Sequence, residues 1–331
     1  MLNQTQSSHN EAQTLDTVPE SSSTDHRKRK LALKSLLLLL VFGIGLGSGY
    51  LLGQRSILHV PTANPTTSED ESMALMHQIN PPEGYEIPVV FGDIGPQMVA
   101  AGAIDIPKFI SLYQQQNKPL TDEQMSILTE GSESTLVINP ENAYFLLNFL
   151  WAFGLTNQNP ILTEGPMIIG GIEKVGGFAS TGGWTIGTKQ ATELYASRSI
   201  LTLTEDQQAR LMEVASGVYR PCCNNPTHFP DCNHGMAMLG LLELMAAQNA
   251  SSEAMFEAAK YVTAFWYLQQ MLEVATVFKA TQNVDYAGAD AREVLSNQYS
   301  SGSGYQAVHQ WLSQNGLLEK APNSSGSCGV Q

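Results

Sequence analysis

The sequence predicts a mostly α-helical domain held outside a membrane by a single transmembrane helix. Three observations predict it. Residues 35–53, SLLLLLVFGIGLGSGYLLG, carry no charge over nineteen positions, about the length a helix needs to cross ~30 Å of hydrocarbon. The basic run HRKRKLALK lies immediately before this stretch, and only Arg55 lies close behind it. Beyond residue 85 the apolar residues recur mostly at helical spacing, and strand-like composition is confined to a glycine-rich stretch near 164–190.

In chain order, residues 1–34 form a basic tail of Ser, Thr, Gln, Asn and charged residues. Such a composition buries too little apolar surface to fold, so the tail is expected to be disordered. Lys and Arg stay on the cytoplasmic side of a span, which puts the tail inside the cell and the large domain outside. The long polar lead-in and the lack of a small-x-small cleavage site favour an uncleaved signal anchor over a signal peptide. Within the span, Gly43/Gly47 and Gly45/Gly49 give two overlapping small-residue spacings. These would let a second helix approach closely, as in a homodimer or a membrane complex. Residues 54–84, with PTANPTTSEDES and NPPEGYE, read as a flexible linker in which prolines oppose a helix.

The domain is expected over 85–320. Pro107 opens a helix in PKFISLYQQQN. Thr121 with Gln124, and Thr204 with Gln207, have capping-box spacing. ENAYFLLNFLWAFGL (141–155) is apolar nearly all round and reads as a buried helix. Residues 252–280 read as the longest helical stretch. Residues 164–190, with their glycines, β-branched residues and Trp184, suggest a short β-ribbon or an ordered glycine-rich loop. Residues 321–331 read as a flexible tail that carries Cys328.

Charge excludes one class of partner. The chain has a formal net charge of −14, and residues 56–331 hold eleven Lys or Arg against twenty-seven Asp or Glu. A domain this acidic repels phosphate backbones, so nucleic acid is not expected as a partner. Glycine-rich stretches occur without P-loop or dinucleotide-binding spacing. No CxxCH motif for covalent haem is present, and no thioredoxin-like CxxC.

Chemistry concentrates in PCCNNPTHFPDCNHGM, residues 221–236, which holds three of the chain's four cysteines. Cys222, Cys223, His228, Cys232, His234, Met236 and Met238 offer thiolate, imidazole and thioether groups, the donors that suit copper(I) and, without the thioethers, zinc. The prolines enforce a loop, and NHGMAMLGLLELMAAQ then reads as a helix with Asp231 or Asn233 as its cap. Cys232 and His234 therefore fall at a helix start, where free amides favour a thiolate. His234 and Met238 lie four apart on one face. Tyr219 and Arg220 precede the loop and are placed to donate hydrogen bonds to sulfur.

The expectation is a soft-metal site built from Cys222, Cys223, Cys232 and His234, with His228, Met236 and Met238 as auxiliaries. Its task would be metal binding, delivery or electron transfer. Two other readings fit the same residues. One is a thiol–disulfide oxidoreductase. The other is a structural subunit stapled by two disulfides, from Cys232 to one of Cys222 and Cys223 and from Cys328 to the other, as an oxidising compartment allows.

Overall fold

The computed structural model describes residues 69–318, all within the second of two compact units, Thr62–Gln331. The span 35–53, the basic tail and Cys328 lie outside the described residues. Among the described residues no helix is long and apolar enough to cross a membrane.

The domain is mostly helical. Its longer helices are α1 (Glu69–Ile79), α2 (Ile94–Ala101), α3 (Ile106–Gln115), α4 (Asp122–Thr129), α5 (Ala143–Thr156), α6 (Glu205–Gly217), α7 (Asn233–Ala247), α8 (Ser252–Trp266), α9 (Leu268–Gln282) and α10 (Gly302–Asn315). Both capping boxes form, at Thr121/Gln124 on α4 and Thr204/Gln207 on α6. Pro107 sits in the first turn of α3, where its missing N–H costs nothing.

Four features depart from the sequence reading. The segment 164–190 forms no strand. It runs through single helical turns at Pro166–Gly170, Ile172–Val175 and Ala179–Gly182. Trp184 anchors it by donating from Nε1 to the Ala103 carbonyl at 2.8 Å. The strands lie elsewhere, β1 (Tyr85–Gly92) pairing antiparallel with β2 (Ser132–Ile138). The ladder shifts register between Ile87 and Val90, around Pro88, which has no N–H to give. Helix α1 occupies part of the stretch read as linker, because Leu75, Met76 and Ile79 supply a helical apolar stripe that packs with α9 residues. Finally, the stretch 252–280 is two helices. The chain breaks at Tyr267, where φ is −134° and ψ is 53°. No sequence breaker lies there, and the Tyr267 ring turns onto His234, with centroids 4.5 Å apart.

The pair α5 and α7 forms the centre of the main core. Every residue of α5 except Tyr144 is buried, and on α7 burial is continuous from His234 to Ala246. The backbones meet at Gly154 and Gly240. A Cβ on Gly154 would collide with the Met236 carbonyl oxygen, and one on Gly240 with that of Leu150. Glycine is needed here for close approach rather than for conformational freedom. At its far end α7 is tied to the sheet: Gln248 Nε2 donates to the Val90 carbonyl at 2.8 Å and its Oε1 accepts from Val90 N at 2.9 Å. This amide completes hydrogen bonding at the irregular step of β1. Helix α7 is thereby fixed along its length, and with it the position of its first residue.

Within this apolar pair Glu243 is fully buried. Asn157 Nδ2 donates to its Oε2 at 3.0 Å, and Asn157 Oδ1 accepts from Ile200 N and Leu201 N at 3.0 and 2.9 Å. Burial pushes the Glu243 carboxyl well above the usual carboxylate range. The folded chain therefore keeps a proton there that the unfolded chain releases above about pH 4.3. Stability contributed at this position falls as pH rises above that value. Glu243→Gln, neutral throughout, should match or fall below the wild type at about pH 4 and exceed it at pH 8. The difference in unfolding free energy should grow by up to ~1.4 kcal/mol per pH unit. Chemical denaturation of both proteins across this range measures it.

Candidate metal centre

The loop 221–232 joins α6 to α7 and carries the three described cysteines. It is tied to the domain at several points. Thr227 N donates to the Val218 carbonyl at 2.9 Å and His228 N to that of Ala215 at 2.9 Å, which folds the loop back on the end of α6. The start of α10 closes another side. Gly302 N donates to the Cys223 carbonyl at 2.7 Å, and Ser303 N to Asn224 Oδ1 at 2.7 Å. The segment 176–184 supports a third side through Ser180 N to the Asp231 carbonyl, 3.1 Å, and an edge-to-face contact between Phe178 and Phe229.

Arg220 forms the centre of the loop, with 3% of its surface exposed. Its Nε donates to Cys232 Sγ at 2.9 Å, Nη1 to the Asn225 carbonyl at 2.9 Å, and Nη2 to the Phe229 carbonyl at 3.2 Å and Asp231 Oδ1 at 2.7 Å. Asn225 Nδ2 donates to the other Asp231 oxygen at 2.7 Å. Burial works against the charge on Arg220, but the neighbouring sulfurs outweigh it and hold the guanidinium charged. From the head of the loop this one residue thus holds the middle at Asn225 and the far end at Asp231 and Cys232, and presents a cation to sulfur.

Cys232 is the N-cap of α7, in place of the expected Asp231 or Asn233. Its sulfur accepts from Gly235 N at 3.3 Å as well as from Arg220. Bonds from Cys222 and Cys223, and then the Arg220 charge, hold the Cys232 thiol well below the usual thiol range. Cys222 is pushed the other way by bonding to Cys223 and Cys232. Of the three thiols, Cys232 is the one whose ionisation the surroundings favour. Its Sγ stands 3.2 Å from that of Cys222. Cys223 Sγ is 3.6 Å from Asp231 Oδ1. The three sulfurs lie within 4.8 Å of one another, with Cys222 exposed and the other two partly buried. All three are free thiols, so the expected bridge from Cys232 to Cys222 or Cys223 is not formed in this structure. The bridge expected at Cys328 lies outside the described residues.

Among the described residues the group of close ligand atoms comprises the three cysteines alone. Neither histidine named by the sequence belongs to that group, and the two methionines lie among the residues of the main core. His234 turns inward and is 2% exposed; its Nδ1 lies 3.0 Å from Asn233 Oδ1, and its ring packs on Tyr267 and Trp266. Burial lowers its pKa to about 4, so the ring is neutral at ordinary pH. His234 and Met238 do share a face, as expected, but that face lines a small cavity with Arg220 and Trp266. Met236 is fully buried and Met238 nearly so, both within the main core. They pack because α7 is buried all round from its first turn. His228 contributes a backbone hydrogen bond to the end of α6. Of the flanking residues, Arg220 does reach sulfur, whereas Tyr219 contributes its backbone N–H to the Leu295 carbonyl at 2.9 Å.

Sequence reasoning missed two contributors. Asp231 is the carboxylate that pairs Arg220 beneath the sulfurs. The Ser301–Gly304 run SGSG is the capped start of α10 that clamps the cysteine turn. Its serine-glycine composition at the head of an amphipathic segment was the available signal. The chain gives no significant match to the protein families, curated proteins or solved structures it was compared with.

Gly235 ties helix and arginine together, because a Cβ there would collide with the Arg220 guanidinium. Gly235→Ala should therefore displace Arg220 from Cys232. A hydrogen bond to a charged group contributes about 1.5–3 kcal/mol, so the pH midpoint of Cys232 alkylation should rise by roughly 1–2 units. Iodoacetamide labelling at a series of pH values, read by peptide mass spectrometry, measures the shift.

Proposed function

We propose that this protein is a membrane-anchored, extracytoplasmic metal-binding protein. Cys222, Cys223 and Cys232 take up one soft metal ion, copper(I) or zinc, for binding, delivery or electron transfer within a membrane assembly. The observation that carries the reading is the group of three sulfurs within 4.8 Å on one clamped loop. With metal–sulfur bonds of about 2.3 Å, sulfurs around one ion stand roughly 3.8–4.0 Å apart, so the loop needs only a small adjustment to close on one. Thiolates select soft cations. Arg220, donating to Cys232, holds the sulfur in place and offsets the negative charge that thiolates gather around an ion. Three protein donors leave a fourth position of tetrahedral zinc open to water or to a donor from a partner. Cys222, the exposed member, is the side from which such a partner would approach.

Elemental analysis of the full chain, purified under reducing conditions, tests this reading. About one equivalent of copper or zinc is expected per chain. Cys232→Ser should lose most of it, because an alcohol stays protonated where a thiol ionises. His234→Ala should keep it, since that ring stands outside the sulfur group. Metal content well below stoichiometry in the reduced wild type, after supply of either ion, overturns the reading.

The membrane anchor and the orientation rest on the uncharged stretch 35–53 and its basic flank. Protease added outside intact cells or spheroplasts should remove the domain and spare residues 1–34. A domain that survives this treatment and is cut only after lysis would reverse the orientation.

A further inference from the structure

The sulfurs of Cys222 and Cys232 stand 3.2 Å apart, on an exposed turn and a fixed helix start respectively. We propose that this pair carries a further activity, thiol–disulfide exchange with a disulfide-bearing partner, and that the bridged state and the metal-bound state exclude one another. The proposal rests on the metal reading only for its second clause.

The geometry separates the roles of the three cysteines. Cys222 is exposed, so an incoming disulfide R–S–S–R reaches it first. Cys232 sits deeper, with its sulfur held by Arg220 Nε and Gly235 N at the start of a helix buried against the core. It cannot travel, so Cys222 must come to it. The approach needed to turn 3.2 Å into a bond is about 1 Å. Cys223 shares the sulfur group but is tied down at the same time, with its sulfur directed to Asp231 Oδ1 and the Asn225 carbonyl at 3.6 and 3.8 Å. The backbone beneath the pair is anchored from the other side, because Gly302 N holds the Cys223 carbonyl. Closure is therefore a side-chain event over a fixed loop.

The exchange balances as follows. The two sulfurs share one proton across their 3.2 Å contact; passed to Cys232, it leaves Cys222 as the thiolate that attacks one sulfur of R–S–S–R, breaking that bond and expelling RS⁻. This RS⁻ takes the proton from Cys232, whose sulfur then attacks Cys222 Sγ in the mixed disulfide, forming the Cys222–Cys232 bond and expelling the second RS⁻, which is protonated by water. Two electrons pass from the cysteine pair to the partner, whose disulfide becomes two thiols. The reverse sequence oxidises a dithiol partner. Once the pair is bridged, two of the three metal donors are consumed, and Cys223 alone cannot hold the ion. Conversely, an ion bound to both sulfurs ties up the lone pairs that exchange requires.

The test uses the full chain, reduced and freed of metal by chelation, with oxidised glutathione as the disulfide. A parallel sample carries Cys328→Ser, which keeps the tail thiol out of the reaction. In both, two thiols should disappear, two glutathiones should be released, and peptide mapping should find Cys222 joined to Cys232. Cys232→Ser should stop at one stable glutathione adduct on Cys222, and Cys222→Ser should form no internal bridge. Zinc, which has no redox chemistry of its own, added first at one equivalent should slow bridging at least tenfold.

A metal-free protein that keeps all three loop thiols, or bridges only through Cys223 or Cys328, overturns the exchange while leaving metal retention untouched. Bridging between Cys222 and Cys232 at the same rate with and without bound zinc overturns mutual exclusion. Bridging in a protein that binds neither zinc nor copper(I) removes the metal reading and leaves exchange standing.

Discussion

The buried guanidinium of Arg220 is the constraint around which this site is arranged. Taking such a cation out of water costs several kcal/mol unless its hydrogen bonds are met. Here the donors reach Asp231, two loop carbonyls and one sulfur. Each partner lies on the turn between Arg220 and α7, so satisfying one side chain forces a dozen residues into one shape. Proline at 221, 226 and 230 narrows the unfolded alternatives, but the arginine selects among those that remain. A lysine would be a point charge and could not span these acceptors.

That arrangement requires a fixed reference, and α7 provides it. The glycine crossing at Gly154 and Gly240 seats α7 against α5 without a side chain between the backbones. The Gln248 amide ties the other end to β1. With the helix fixed, Gly235 leaves the space in which the Arg220 guanidinium lies. The chain of dependence runs from a small-residue helix crossing, through the position of one helix start, to the charge state of one sulfur. Apolar packing fixes the frame, and a polar network uses it.

Much of this was legible in sequence, and the omissions have physical causes. Capping chemistry is local, so Thr121/Gln124 and Thr204/Gln207 could be read directly. The all-apolar helix at 143–156 could be read because burial on every side leaves no polar face. The cysteines announced the site by type and density. The break at Tyr267 carries no local signal, since it is imposed by packing on His234. The strand at 85–92 did carry one: Ile87, Val89 and Phe91 alternate inward. Pro88 within that run hid the pattern, because proline usually argues against a strand. Met236 and Met238 were ambiguous by nature, for a thioether serves a core as readily as a metal. Only the burial of α7 from His234 onward distinguishes the two uses.

The identity of the cap at α7 shows how local preference yields to the site. Asp231 and Asn233 are both better N-caps than cysteine, and they flank it on either side. A register shift of one residue would place either at the cap. Neither shift is available. Moving Asp231 to the cap would take its carboxylate from Arg220 and Asn225, leaving a buried cation unpaired. Placing Asn233 there would move Cys232 off the free amides and away from the Arg220 Nε. Asn233 instead supports the first turn from within, with its Oδ1 accepting from His234 N at 3.0 Å. The helix therefore starts on a weaker cap so that a sulfur receives the hydrogen bonds that a cap normally takes. Sequences that depart from a local rule while the surrounding residues conform tend to do so at functional positions. By that argument Cys232, rather than the more exposed Cys222 or the better-known ligand type at His234, is the residue for which this loop is built.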